Sequence, residues 1–180
     1  AGLLGIVGLG NGPGAPEGIS AAGSSRVALI AYTGQQPESY TVDKAPDGWV
    51  IEENRERILT IAPAELAEQH TPFLDGKITV NVASKDELAV DRFETRTLSV
   101  GGVTATAFTF PDAAVSGFVA DEQGHPVDVP KVGPDSAPGL LLRDGKVTVL
   151  FQFPKGWSDT SMASFAAGVH LTNVGRRSGG

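Results

Sequence analysis

The chain has 180 residues, 41% of them hydrophobic, and a formal net charge of −7. A chain of this length can bury roughly 70% of its unfolded surface, which predicts one domain with its own core. The acidic charge argues against nucleic acid as a partner, because that affinity depends on clustered Lys and Arg. The sequence contains no cysteine, which excludes disulfides, thiol catalysis and thiolate metal sites.

The first 25 residues differ from the rest in composition. Residues 1–25 contain eight glycines and a single charged residue, Glu17. The apolar stretch at residues 1–10 is shorter than the about 20 residues that span a bilayer, and glycines and prolines follow it. Two interpretations stay open: a flexible tail, or a juxtamembrane linker that follows an upstream membrane helix. The domain itself is predicted over 26–174, with a second tail over 175–180.

Alternation of apolar and polar residues predicts strands along most of this domain. In the segment 76–84, the side chains of Ile78, Val80 and Val82 share one face, and a half-buried strand is expected. The same pattern, or a short run rich in β-branched residues, predicts further strands at 26–33, 39–43, 57–62, 103–110, 115–120, 139–143 and 146–153.

Turn residues separate these strands. Gly101-Gly102 and Asp144-Gly145 are typical of hairpin turns, and the second joins the clearest hairpin of the chain. Residues 121–139 carry four prolines and three glycines and are predicted to form a long loop. Helices are expected only at 63–69 and at 158–167, the latter followed by a short strand. The predicted fold class is therefore α+β, a mainly antiparallel sheet with one or two helices packed on it.

The segment around Ser158 is similar to the Gly-x-Ser-x-Gly motif of serine hydrolases. That motif needs a small residue two positions after the serine, and this chain has the β-branched Thr160 there. Apolar residues spaced three, four and seven positions from Met162 instead predict a helix. Ser158 is therefore predicted to be its N-cap, with Asp159 in the first turn and Gly168 as a left-handed residue at its end.

Several segments together resemble a family. "YTVDKAPDGWVIEEN", "FLDGKITVNVASKDE" and "RDGKVTVLFQFPKGWSDTSMASFAAGVHLT" are similar to the domain outside the membrane of small actinobacterial single-pass membrane proteins of uncharacterised function. The closing strand, helix and strand also resemble domains attached to some anti-sigma factors and Mog1/PsbP-like lipoproteins. The resemblance implies an extracytoplasmic, membrane-anchored domain, and it brings no catalytic residues. In this comparison 121–139 looks like an insertion.

The sequence predicts no catalytic, cofactor or metal site. His70, His125 and His170 lack the spacing of metal ligands, and His170 is expected on the surface of the last strand. The acidic runs near Glu52 and Asp86 are interleaved with Arg and Lys, which predicts solvated faces rather than a catalytic carboxylate pair.

Two tryptophans are the candidate binding residues. Trp49 and Trp157 each follow a glycine at the boundary of a predicted element. One interpretation is that they clamp the two ends of one core. The other is that they form an exposed patch for a ligand or a partner.

These observations favour a non-enzymatic extracytoplasmic binding or sensing module, tethered by a membrane helix, with no cofactor. Its partner would be a protein or a small envelope ligand. Nucleic acid is not expected as a partner, and the membrane is expected to be contacted only through the tether. Two alternatives remain: a structural or self-assembling envelope protein that uses an exposed strand edge or residues 121–139, and a hydrolase of unrecognised type. A cytoplasmic location also stays open.

Overall fold

A computed structural model describes residues 26–55, 57–69, 76–83, 93–110, 137–144 and 147–178. The predicted linker 1–25, the predicted strand 115–120 and residues 121–136 of the predicted loop lie outside these residues. Residues 137–139 belong to a strand and not to that loop. The α+β class is confirmed, because the structure is a mainly antiparallel sheet with a few short helices.

In chain order the elements are β1 (Leu29–Ala31), β2 (Tyr40–Val42), β3 (Lys44–Pro46), β4 (Trp49–Arg55), β5 (Ile58–Pro63), α1 (Ala64–Glu68), β6 (Ile78–Ala83), β7 (Thr95–Val100), β8 (Val103–Phe110), β9 (Ala137–Asp144), β10 (Val147–Gln152), α2 (Asp159–Ala166), β11 (Val169–Leu171) and α3 (Asn173–Ser178). The predicted strands and both predicted helices that fall on described residues are confirmed, with ends shifted by a few residues. The residue patterns of the sequence led to no separate prediction of β3, β4, β7 or α3.

Seven strands form one sheet in the order β4-β5-β6-β10-β9-β8-β7, and every neighbouring pair is antiparallel. The predicted hairpin is β9–β10, in which Asp144 pairs with Val147. The β7–β8 turn has two residues, Gly101 and Gly102, with φ of +56° and +85°. Glycine adopts this left-handed conformation at little cost, so the pair fixes the register of the hairpin.

One face of the sheet carries the main core. The side chains predicted to point inward from β6 and β10, among them Val80, Val149 and Phe151, are buried there. Helix α2 and the two-stranded ribbon β2–β11 pack over this face. Tyr40 on β2 is fully buried and donates from its hydroxyl to the carbonyl oxygen of Arg57, at 2.8 Å. Burial raises the pKa of this hydroxyl well above its usual range, so it remains a donor.

The other face of the sheet is not the solvated face that was predicted. Thr79 and Gln152 lie on this face and are both buried. The hydroxyl of Thr79 donates to Oε1 of Gln152 at 2.7 Å, which satisfies two polar groups without water. A second apolar cluster on this face contains Phe108, Phe110 and Leu150. The prediction of half-buried strands is therefore wrong for β6 and β10, because both faces of these strands are covered. An alternating pattern also occurs in a covered strand when its polar side chains pair with each other, as Thr79 and Gln152 do.

Helix α2 begins as predicted and ends differently. Ser158 is its N-cap, in an extended conformation, and its hydroxyl accepts from the backbone N–H of Ser161 at 3.2 Å. Gly168 does not adopt the predicted left-handed conformation. Its carbonyl accepts from the backbone N–H of Asp43 at 2.7 Å, and a Cβ on Gly168 would lie 3.3 Å from the Cβ of Asp43. A Cβ at residue 168 would require one of the two chain segments to move by a few tenths of an ångström, so this close approach favours glycine.

Residues 173–178 form helix α3, where the sequence analysis placed a tail from residue 175. Thr172 starts this helix, since its hydroxyl accepts from the backbone N–H of Gly175 at 3.3 Å. A Cβ on Gly175 would lie 2.3 Å from the carbonyl oxygen of Ser39. The final helix thus packs directly on the segment before β2, a contact that a local sequence pattern does not reveal.

Candidate functional site: an apolar cleft under helix α2

A cleft of about 270 Å³ lies between the main-core face of the sheet and the elements that cover it. Its walls come from β7, β8, β9 and β10 on one side and from β2, α2, β11 and α3 on the other. The apolar wall residues include Val100, Leu142, Val149, Ala166, Val169 and Leu171. Small-molecule sites have this character, a mostly apolar concavity with a few polar groups, although most are somewhat larger, roughly 300–1,000 Å³.

The β7–β8 turn forms one side of the cleft mouth. Gly101 and Val103 line the cleft there, and Val103 is one of the large apolar side chains that are about half exposed, at 49%. Ala167, the C-cap of α2, lies next to this turn and also lines the cleft, since a Cβ on Gly101 would be 3.6 Å from the Cβ of Ala167. A larger side chain at residue 167 would therefore narrow the mouth.

The charged lining of the cleft is basic. Arg143 on β9, His170 on β11 and Arg176 on α3 line it, and none of the described lining residues is acidic. All three residues are exposed, so they lie at the rim and not in the apolar interior. This charge is opposite to the formal net charge of −7 of the whole chain.

An ion pair holds α2 over the sheet. Arg96 on β7 donates from Nε to Asp159, the first residue of α2, at 2.8 Å, and a second bond joins Nη2 to the other carboxylate oxygen. The pKa of Asp159 is lower than its ordinary value, mainly because of the hydrogen bond with Arg96. This two-point contact links the outer strand of the sheet to the helix that covers the cleft.

We expect Arg96→Gln to destabilise the protein by less than about 1 kcal/mol at neutral pH, because both side chains are more than 40% exposed and solvent screens them. The folded-state pKa of Asp159 is depressed, so the stabilisation is present above its unfolded pKa and is lost as pH falls through the folded value. Urea unfolding at several pH values measures this. Arg26→Gln, which removes another exposed cation, is the control, and a difference that persists unchanged into strong acid would contradict the assignment.

The two tryptophans meet in one aromatic cluster and do not clamp opposite ends of the core. Their ring centroids are 6.2 Å apart in an edge-to-face arrangement. Trp157 also packs against Phe153 and Phe165, at 5.1 and 6.2 Å, and is only 8% exposed. Trp49 is half-buried, so it supplies most of the surface that this pair could offer. The Trp49–Trp157 partner patch stays a prediction.

Of the three histidines discussed in the sequence analysis, only His170 belongs to the described residues. It lies on the exposed side of β11, as expected. Its Nε2 is 3.5 Å from Oδ2 of Asp43, with both side chains more than half exposed. A catalytic His–Asp pair relies on a buried carboxylate that fixes the imidazole, which this solvated pair lacks. Within the described residues, no three His, Asp or Glu side chains are grouped as metal ligands.

The prediction of a solvated acidic face is wrong at Glu52. Its carboxylate is 14% exposed and pairs with Lys77, whose side chain is 2% exposed, at 2.8 Å from Oε1 and 2.7 Å from Oε2. Glu52 is the additional residue of a β-bulge in β4, where the register shifts between Ile51 and Glu53. Bulges turn a side chain away from its regular direction, and no residue pattern in the sequence predicted this one. The acidic residues 86, 87 and 91 lie outside the described residues.

The helices over the described residues are all too short or too polar to cross a bilayer. No protein-family model matches this chain, and no curated protein matches it. The solution structure of cyanobacterial PsbP (CyanoP) from Synechocystis sp. PCC 6803 is similar to 89% of this chain and 99% of its own, at 10% identity and a TM-score of 0.38. This structure is PsbP-like, as in the predicted resemblance to Mog1/PsbP-like lipoproteins, and the comparisons do not support the actinobacterial resemblance.

Proposed function

We propose that this protein is a non-enzymatic binding module that holds a small ligand in the cleft under α2. The observation that carries the proposal is the cleft itself, an apolar concavity of about 270 Å³ between the sheet and its covering layer. Three polar residues at the rim complete the usual composition of a ligand site.

The chemistry of the described side chains supports binding more than catalysis. Ser158 is engaged as a helix cap, and the His170–Asp43 pair is exposed to solvent. The location outside the membrane and the upstream tether belong to the same proposal, and they rest on the composition of residues 1–25 and on the actinobacterial resemblance. Fractionation of cells that express the native gene tests the tether, and a protein found only in the cytosol would contradict it.

The cleft is tested by filling its mouth. We expect Ala167→Phe to abolish binding of small apolar ligands while the protein stays folded, since residue 167 is partly exposed at the end of a helix. The measurement is a titration of the nitrogen-15-labelled full chain with apolar fragments, in which amide shifts should cluster at β9, β10 and β11. Ser164→Phe places the same ring on the exposed face of the same helix and is the matched control. Shifts elsewhere, or equal binding by Ala167→Phe, would contradict the proposal.

Self-assembly remains the alternative. Strand β7 is an outer strand of the described sheet, and Thr95, Arg96 and Thr97 on it are exposed. Unpaired strand edges can add a strand from another chain. Light scattering of the same samples over a range of concentrations separates the two functions, because a mass that rises with concentration favours assembly.

A further inference from the structure

We infer that the ligand of the cleft under α2 is a small amphipathic anion, with an apolar body and one carboxylate or phosphate head. This inference rests on the proposed function, because it assigns a chemical class to the occupant of the same cleft. It follows from the distribution of charge around the cleft and from the separation of its apolar interior from its polar rim.

The interior selects an apolar body. Leu142, Val149 and Phe151 face it from the sheet, and Val169 and Leu171 face it from the opposite ribbon. These five side chains offer no hydrogen-bond donor or acceptor. A polar group placed among them would lose its hydration without compensation, at a substantial cost. The cleft volume of about 270 Å³ limits this body to a short chain or a single ring system.

The rim selects an anionic head. Arg143 and Arg176 supply two permanent positive charges, and guanidinium groups match the geometry of carboxylate and phosphate oxygens. His170 adds an imidazole, although Asp43 lies 3.5 Å from its Nε2 and offsets its charge when it is protonated. The specificity for an anion is therefore assigned mainly to the two arginines.

The net charge of the chain strengthens this assignment. A protein with a formal charge of −7 repels anions over most of its surface and attracts cations without a dedicated site. At the rim the lining residues that carry charge are basic, and none of the described lining residues is acidic, so this part of the surface attracts anions instead of cations. A head group that stays at the exposed rim also keeps part of its hydration, while the body transfers to the apolar interior.

The experiment compares four probes that share one alkyl chain: octanoate, octyl phosphate, octan-1-ol and octylammonium, each titrated into the full chain. We expect either anion to bind at least about tenfold more tightly than the alcohol, the effect of one or two charge-assisted hydrogen bonds. The affinities of octanoate and octyl phosphate show whether the cleft prefers a carboxylate or a phosphate as the head group. Anion affinity should fall as salt is added, because the rim charges are exposed.

The variants separate this inference from the proposed function. The double change Arg143→Gln and Arg176→Gln should reduce anion affinity by about tenfold and leave the alcohol unaffected, whereas Arg26→Gln, outside the cleft, should change neither. If the alcohol binds as tightly as the anions and only Ala167→Phe blocks it, the anion assignment is overturned and the binding function stands. If none of the four probes binds at the cleft, the proposed function itself is contradicted.

Discussion

Replacement of Lys77 by Met should lower the free energy of unfolding by about 3–5 kcal/mol, the cost of leaving one member of a buried ion pair alone. Lys77 and Glu52 contact each other at 2.7–2.8 Å and are 2% and 14% exposed. Without the ammonium group, the carboxylate of Glu52 would keep its desolvation cost and lose its nearest opposite charge. Urea unfolding, with a check that the slope of the transition is unchanged, measures the loss.

The second partner provides the decisive comparison. The double change Lys77→Met and Glu52→Leu removes both charges together, and we expect it to recover most of the lost stability, since well-packed apolar pairs often replace buried ion pairs at no cost. Lys44→Met removes an exposed lysine and should change stability by less than about 0.5 kcal/mol. A loss below 1 kcal/mol for Lys77→Met alone would show that water reaches the Glu52 carboxylate.

Replacement of Phe165 by Ala should cost a similar amount, about 3–5 kcal/mol, because it leaves a cavity at the centre of the aromatic cluster. Phe165 is fully buried and lies edge-to-face with Phe153 and Trp157, with ring centroids 5.9 and 6.2 Å away. For a chain of this length the loss corresponds to a decrease in Tm of roughly 6–20 °C. Thermal unfolding followed by tryptophan fluorescence records both the stability and the environment of Trp157.

The neighbouring residue is the control for this prediction. Ser164 is exposed on the same helix, and Ser164→Ala should leave Tm nearly unchanged. Because Phe165 holds α2 against the sheet, its loss should also weaken binding in the cleft, even though Phe165 does not line it. A variant with a lowered Tm and unchanged ligand affinity would indicate that the cleft forms independently of this cluster.

The amino-acid sequence was enough to predict the class of the fold and most of its local elements. Strand β8 and the β9–β10 hairpin follow from alternation and turn residues, which are local properties. The N-cap role of Ser158 follows from the residues just after it. Strand β7 was missed because its sequence, TRTLSV, carries few apolar residues, as suits a mostly exposed outer strand.

The candidate site, in contrast, depends on contacts between residues that are distant in sequence. The cleft combines side chains from β9, β10, α2, β11 and α3, and no spacing along the chain indicates that these meet. The same holds for Lys77 and Glu52, which are 25 residues apart and are brought together by a bulge. Trp49 and Trp157 could be identified as aromatic residues at element ends, but their contact depends on strand order. Local patterns depend on neighbours in sequence, whereas burial and charge pairing depend on residues that become neighbours only when the sheet is assembled.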